Sequence, residues 1–243
     1  LRFGLIASLL MLTSATAAYA QLYAAVLPSA RSVQVGQTAT AFGTIINAGS
    51  ELARGCSITL TTNVPATFLY QTTDPHTNQV TGTANTPGDI PAGGAQTFVI
   101  ALTPTAPFTN TVRFNFACAD MSPASAIDGV NTLSVLASSQ PVPDIIAIAV
   151  TLTNDGIVNI PGVSGTGAFA VAAVNIGASE PSHCPQGGCT CTAYVGLTRS
   201  VPSIPAVQLC ETDPATGACL STPRQVSSGA FGLGRSLTAN ETA

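Results

Sequence analysis

Four residues whose side chains can bind a metal lie close together in the second half of the sequence: His183, Cys184, Cys189 and Cys191. Imidazole and thiolate ligands of this kind suit zinc or copper. Their spacing, however, matches no strong zinc pattern, and an oxidising compartment converts thiols to disulfides. The sequence therefore favours disulfides here, with a metal-binding protein as an alternative, and predicts no cofactor.

The remaining cysteines fall into two pairs. Cys56 and Cys118 lie on the inward faces of alternating segments, so we expect a disulfide that closes a loop of roughly 60 residues and stabilises the fold by about 4 kcal/mol. Cys210 and Cys219 flank a tight turn at Asp213-Pro214. A second disulfide across that hairpin is therefore predicted.

Two short segments of the first half return in the second half. Residues 43–49 read against 170–177, both with an Asn-x-Gly triplet, and the Thr-Asp-Pro of 73–75 returns at 212–214. A period of about 130 residues is the size of one β-sandwich domain. The sequence therefore predicts tandem β modules.

The repeat suggests a reason for the odd number of cysteines. Cys191 aligns with Cys56, and the counterpart of Cys118 would fall near position 257, beyond Ala243. We therefore expect Cys191 to be left over, and Cys184 to pair with Cys189 inside their own loop.

No other group of residues in the sequence predicts catalysis. The chain has two histidines and lacks the Gly-x-Ser-x-Gly, His-Glu-x-x-His and phosphate-loop patterns. Asp120, Asp128 and Asp155 have no second acid at the spacing of a calcium loop. The sequence predicts no catalytic residue and a protein that is not an enzyme.

The first 20 residues resemble a secretory signal peptide. Arg2 precedes an apolar run over 3–12, and Ala18-Tyr19-Ala20 places small residues before Gln21. Removing Arg2 from seven basic residues, set against eleven acidic ones, changes the formal charge from −4 to −5. This balance argues against nucleic-acid and anionic-membrane partners. We expect a secreted or cell-surface protein with no membrane span in the mature chain.

Short apolar runs bounded by Gly, Pro, Asn and Asp follow the signal peptide, and several alternate with a period of two. The alternation predicts half-buried strands. We expect an all-β chain with a first immunoglobulin-like sandwich over 21–137, a linker over 138–144 and a second, truncated sandwich over 145–243. The strands predicted in the first sandwich are 23–27, 31–35, 38–46, 56–61, 66–71, 78–83, 96–103, 110–118 and 131–136.

Segments 154–162 and 209–219 resemble the immunoglobulin-like repeats of large secreted bacterial surface proteins. The resemblance implies an exported, non-enzymatic structural or adhesive protein. Partners expected on this basis are other surface proteins, glycans or copies of itself, with the Thr- and Asn-rich stretch 61–86 as one candidate surface. An alternative is that the modules are accessory, non-catalytic parts of a larger secreted enzyme.

Overall fold

The computed structural model describes residues 21–119, 121–153, 158–162, 164–178, 192–193, 207–213, 215–226 and 235–236. Every regular element in these ranges is a β-strand. Nine strands form the first module: β1 (Leu22–Leu27), β2 (Ala30–Gln34), β3 (Ala39–Asn47), β4 (Ala53–Leu60), β5 (Ala66–Thr73), β6 (Gly88–Ile90), β7 (Ala95–Pro104), β8 (Phe108–Ala117) and β9 (Thr132–Ser138).

The nine strands form two sheets. One sheet has the order β1-β3-β7-β5, and all its pairs are antiparallel. The other has the order β2-β9-β8-β4-β6, in which only β2 and β9 run parallel. The orders β1-β3-β7-β5 and β4-β8-β9 match the ABED and CFG sheets of an immunoglobulin-like sandwich, and β2 and β6 are added at the two ends of the second sheet. The predicted all-β, immunoglobulin-like fold is therefore confirmed for this module.

The core lies between the two sheets and follows from alternation along the strands. On β7 the inward side chains are Phe98, Ile100 and Leu102, and all three are fully buried. On β8, in the opposite sheet, the inward side chains Val112, Phe114 and Phe116 are also buried. Apolar burial on both inner faces is the main favourable term for a sandwich of this size.

One inward position, Gly43, carries no side chain, and the core around it is tightly packed. A Cβ at Gly43 would lie 3.1 Å from Ile100 Cδ1 and 3.3 Å from both Ile58 Cδ1 and Phe116 Cε1. The contacts come from both sheets, so Gly43 marks a point where β3 and the opposite sheet approach closely.

The predicted strand over 78–83 is wrong. This segment makes only one isolated bridge, between Thr73 and Val80, and the next strand is instead β6. The segment lies along the free edge of β5, where Thr81 N–H donates to Thr72 O (2.9 Å) and Asn85 N–H to Tyr70 O (2.7 Å). Its pairing with β5 is irregular, because Asn78 at its start and Asn85 just after its end both take a positive φ of 57°, outside the range of a regular strand.

The described part of the second half contains three two-stranded antiparallel sheets. They pair β10 (Ile145–Thr151) with β11 (Phe169–Asn175), β12 (Thr192–Ala193) with β15 (Arg235–Ser236), and β13 (Val207–Leu209) with β14 (Arg224–Val226). The second sandwich over 145–243 stays a prediction, as do the domain boundaries.

Adding a side chain at Gly43 tests the packing of the sandwich. We expect Gly43→Val to lower the free energy of unfolding by about 1–3 kcal/mol, because the added methyl groups overpack the core. Urea unfolding of the disulfide-bonded chain measures the change. The control is Thr44→Val, since Thr44 points away from the core on the same strand; an equal loss in both variants would contradict the close approach.

Candidate functional site

Two disulfides are present among the described residues. Cys56 on β4 is bonded to Cys118, which directly follows β8, and the two Cα atoms are 3.9 Å apart. Cys210 is bonded to Cys219 across a loop with a sequence separation of 9. The first bond is buried and links β4 to the end of β8, its neighbour in the same sheet. It closes a loop with a sequence separation of 62, which restricts the unfolded chain.

The metal candidates His183, Cys184, Cys189 and Cys191 lie outside the described residues, as do Asp120, Asp155 and residues 1–20, for which a signal peptide stays a prediction. Within the part of the chain that the structure describes, no group of three or more His, Cys, Asp or Glu side chains is placed to hold a metal. In that same part, no helix has the length and apolarity needed to cross a bilayer.

Asp74 and Asp213 accept the same set of hydrogen bonds from the residues that follow them. Asp74 Oδ1 accepts hydrogen bonds from His76 N–H (2.9 Å), Thr77 N–H (2.9 Å) and the Thr77 hydroxyl (3.1 Å). Asp213 Oδ1 accepts the equivalent three bonds, from Ala215 N–H and from the N–H and hydroxyl of Thr216, at 2.9–3.0 Å. These bonds favour the ionised carboxylate and lower the pKa of both aspartates.

The two Asn-x-Gly segments also share one local structure. Asn47 ends β3, and its Oδ1 accepts the N–H of Gly49 at 3.0 Å. Asn175 ends β11, and its Oδ1 accepts the N–H of Gly177 at 3.1 Å. Both asparagines are fully buried and face the first residue of the paired strand, Leu22 in β1 and Ile145 in β10.

At the second of these turns, a carboxylate joins the β10–β11 hairpin to the first module. Asp144 directly precedes β10, and its Oδ2 accepts from Arg31 Nε (2.9 Å) and Nη2 (2.8 Å), while its Oδ1 accepts the N–H of Ser32 (2.8 Å). The Asp144 N–H in turn donates to Asn175 Oδ1 at 3.0 Å. The set of Arg31, Ser32, Asp144 and Asn175 is called the joint below.

The joint is buried and internally satisfied. The side chains of Arg31 and Asp144 are only 6% and 5% exposed. The remaining Arg31 donors reach Thr40, at its carbonyl and at its hydroxyl (3.2 Å). Gly177 makes the packing possible, since a Cβ there would come within 2.5 Å of Val142 O and Asp144 N. A buried, fully hydrogen-bonded ion pair fixes one relative position of the two elements that supply it.

Sequence reasoning did not find the joint. The sequence predicts Arg31 within an ordinary strand and Asp144 as the last residue of a linker. The Asn-x-Gly repeat could have pointed to it. In the two copies, the residue before β10 is Asp144, whereas the residue before β1 is Gln21. A charge at one copy of an otherwise equivalent position indicates a contact made by that copy alone.

The sequence matches no protein-family model and no curated protein. Among solved structures the chain is similar to SSP-19 of Caenorhabditis elegans, an MSP-domain protein like family member, at 18% identity over 47% of this chain and 98% of that one, with a TM-score of 0.27. It is also similar to PapD-like domain 7 of human CEP192, at 12% identity over 56% and 96% of the two chains, with a TM-score of 0.28.

A third similar structure is a chaperone–tip adhesin complex of CFA/I fimbriae, at 11% identity over 90% and 83% of the two chains, with a TM-score of 0.24. All three TM-scores are below 0.5. The fold is therefore assigned from strand order and burial, and no function is transferred from these proteins.

Removing one partner of the joint tests its energetic role. We expect Asp144→Ala to lower the free energy of unfolding by about 3–5 kcal/mol, because it leaves the Arg31 guanidinium buried without its carboxylate. Chemical unfolding followed by circular dichroism measures this. The double variant Arg31→Met/Asp144→Leu should recover most of the loss, since it removes both charges.

The matched control for the joint is Asp128→Ala. Asp128 pairs with Arg113 at 2.8 Å, but both side chains are largely exposed, so its loss should cost about 0–1 kcal/mol. Equal effects of the Asp144 and Asp128 substitutions would contradict a buried joint.

The two aspartate turns predict an acid titration. Because their folded-state pKa values lie below the ordinary 3.8, the stability that they contribute is present above pH 3.8 and is lost as pH falls through the lower folded-state values. Carboxyl ¹³C NMR should give midpoints below 3.8 for both Asp74 and Asp213. Thr77→Val and Thr216→Val should each raise the midpoint of their own aspartate only; midpoints of 3.8 or above in the parent chain would refute the shared turn.

Proposed function

We propose that the chain is an exported, non-enzymatic structural protein of a cell surface or extracellular assembly, in which consecutive β-sandwich modules act as a stiff spacer that presents its surfaces to partners. The observation that carries this proposal is the joint. A linker without contacts leaves neighbouring domains free to reorient, whereas a buried ion pair between them restricts that motion.

The ends of the linker support the same interpretation. Gln34 donates to Ser139 O at 3.2 Å, and Val35 N–H donates to Ser138 O at 2.8 Å, so the start of the linker runs along β2. Its far end is held by Ala178 N–H, which donates to Val142 O at 3.0 Å. Because the linker is hydrogen-bonded at both ends, it restricts motion of the β10–β11 hairpin relative to the first module.

The disulfides support a place outside the reducing cytoplasm. Disulfides form and persist in oxidising compartments, and small exported modules use them to limit unfolding. In this chain one bond lies inside the first sandwich and the other closes a hairpin of the second half. Each half therefore carries its own covalent constraint, which suits a protein that works outside the cell.

Two measurements on one preparation test the proposal. The sequence 1–243 is expressed in a secreting bacterial host, and mass spectrometry of the unreduced product should show a chain that begins at Gln21 and has one free thiol. Small-angle X-ray scattering should then fit a single arrangement of the first module and the second half, and Asp144→Ala should broaden the distance distribution whereas Asp128→Ala should not.

Retention of an unprocessed, fully reduced chain in the cytoplasm would overturn export. Scattering from the parent chain that requires many module orientations would overturn the spacer role, even if export is observed.

A further inference from the structure

The Thr-Asp-Pro repeat places one Asp–Pro peptide bond in each half of the chain, at Asp74-Pro75 and at Asp213-Pro214. Such a bond differs chemically from other peptide bonds. The aspartate carboxylate can close a five-membered ring on its own carbonyl carbon, and the proline nitrogen, part of a tertiary amide without an N–H, is more easily protonated and expelled. The bond can therefore break without an external nucleophile where a carboxylate, a carbonyl and a proton donor are held together.

The turn at Asp74 holds the carboxylate beside this bond. Asp74 Oδ1 accepts the N–H groups of His76 and Thr77, both at 2.9 Å. The ring closed by the first of these hydrogen bonds contains the whole Asp74–Pro75 peptide bond, so the side chain folds back along that bond. All the hydrogen bonds that fix the carboxylate go to Oδ1, which leaves Oδ2 for attack. A nucleophile positioned within the same molecule reacts far faster than one that must arrive from solution.

The carbonyl of the same bond is hydrogen-bonded at its oxygen. Asn78 N–H donates to Asp74 O at 2.9 Å. Attack on the carbonyl carbon places negative charge on this oxygen, and a backbone N–H held at that distance stabilises the charge. The turn therefore supplies both the nucleophile and a group that stabilises the developing charge.

His76 supplies the proton donor. Its Nδ1 lies 4.0 Å from Asp74 Oδ1, and its side chain is 90% exposed. An imidazole ordinarily gains its proton between about pH 8 and pH 5. The backbone N–H of Thr77 is the main cause that lowers the pKa of Asp74, so this carboxyl stays ionised over the same range. A nucleophilic carboxylate and a protonated imidazole therefore coexist in mild acid.

The elements around the turn add no other charge. The turn follows β5 and continues into segment 79–86, and β7 pairs with β5. None of these three contains Asp, Glu, Arg, Lys or His, and the ionisable side chain that remains, Tyr70, is buried in the core. The pH response of the turn therefore depends on Asp74 and His76.

The second copy has the same hydrogen bonds but lacks the acid. Asp213 Oδ1 accepts the N–H groups of Ala215 and Thr216, both at 2.9 Å, and Gly217 N–H donates to Asp213 O at 2.8 Å. Ala215 stands where the first copy has His76. The chain thus contains two matched Asp–Pro bonds, of which one has a proton donor beside it.

A disulfide spans each of these bonds. Cys56–Cys118 encloses the Asp–Pro bond of the first module, and Cys210–Cys219 encloses that of the second half. Breaking either peptide bond leaves the two parts covalently joined. A cut in the first module therefore gives a nicked sandwich, not two separate chains.

From these observations we propose that the first module cleaves its own Asp74–Pro75 bond in mild acid, with Asp74 as the nucleophile and His76 as the general acid. Each molecule reacts once, so the activity is processing of the chain and not turnover of a substrate. It goes beyond the proposed spacer role and does not depend on it. Cleavage gives a free end to segment 79–86, which covers the edge of β5.

The reaction is a hydrolysis in two steps. Asp74 Oδ2 attacks the carbonyl carbon of Asp74, and the new C–O bond closes a cyclic anhydride as the C–N bond to Pro75 breaks. The Pro75 nitrogen takes the proton of the His76 imidazolium and becomes a new amino terminus. One water molecule then opens the anhydride to the side-chain and α-carboxyl groups of Asp74.

Incubation of the secreted, disulfide-bonded chain at about pH 5 and at about pH 8 tests the proposal. Mass spectrometry after reduction should show one fragment that ends at Asp74 and another that begins at Pro75, formed at least about 10-fold faster at the lower pH. The unreduced chain should gain the mass of one water and stay in one piece. Hydroxylamine added during the reaction should be captured at Asp74 as a hydroxamate, which reports the anhydride.

Reciprocal substitutions at the two copies test the role of the histidine. His76→Ala should slow cleavage by about 100-fold, because it removes the general acid. The Asp213–Pro214 bond of the parent chain is the internal control and should break about 100-fold more slowly than Asp74–Pro75. Ala215→His should accelerate cleavage at Asp213 by at least about 10-fold. Circular dichroism shows that each variant is folded.

A folded parent chain that stays uncut at the lower pH would overturn the proposal. Equal rates at the two Asp–Pro bonds would also overturn it, and so would cleavage after position 74 that persists in Asp74→Ala. None of these outcomes changes the export and scattering measurements, so failure of self-cleavage is distinguishable from failure of the spacer role.

Discussion

The structure depends on one constraint: the backbone N–H and C=O groups at the edge of a β-sheet need partners. The first module meets this need with other parts of its own chain. The 79–86 segment occupies the edge of β5, and the carboxylate of Asp144 occupies part of the edge of β2. The contact at β2 has a wider consequence, because Asp144 directly precedes β10 and therefore links the first module to the β10–β11 hairpin.

The joint therefore combines a local and a long-range role. Locally it neutralises Arg31, a buried cation that would otherwise destabilise the sandwich. Over a separation of 113 residues it holds the β10–β11 hairpin against the first module. Buried ion pairs add little to stability compared with apolar packing, but they specify one geometry. The proposed spacer role depends on that geometry more than on the energy of the pair.

The two outer faces of the sandwich differ in chemistry: one carries arginines and an aspartate, and the other carries none. The uncharged face carries threonines between its apolar side chains, as on β3, where Thr40 and Thr44 alternate with Phe42 and Ile46. This difference between the two faces follows from the composition of the strands.

Local sequence is enough to predict the strand content, the alternation that builds the core around Phe98 and Phe114, and the turns at Asp74 and Asp213, because these depend on neighbours within a few residues. It also indicated Cys56 and Cys118 as inward-facing residues of one core. It misplaced a strand at 78–83, since an edge segment and a regular strand share the same composition. The contact between Arg31 and Asp144 could not be predicted in this way, because two residues so far apart in sequence come together only when the sheet order places β2 at an edge beside the following hairpin.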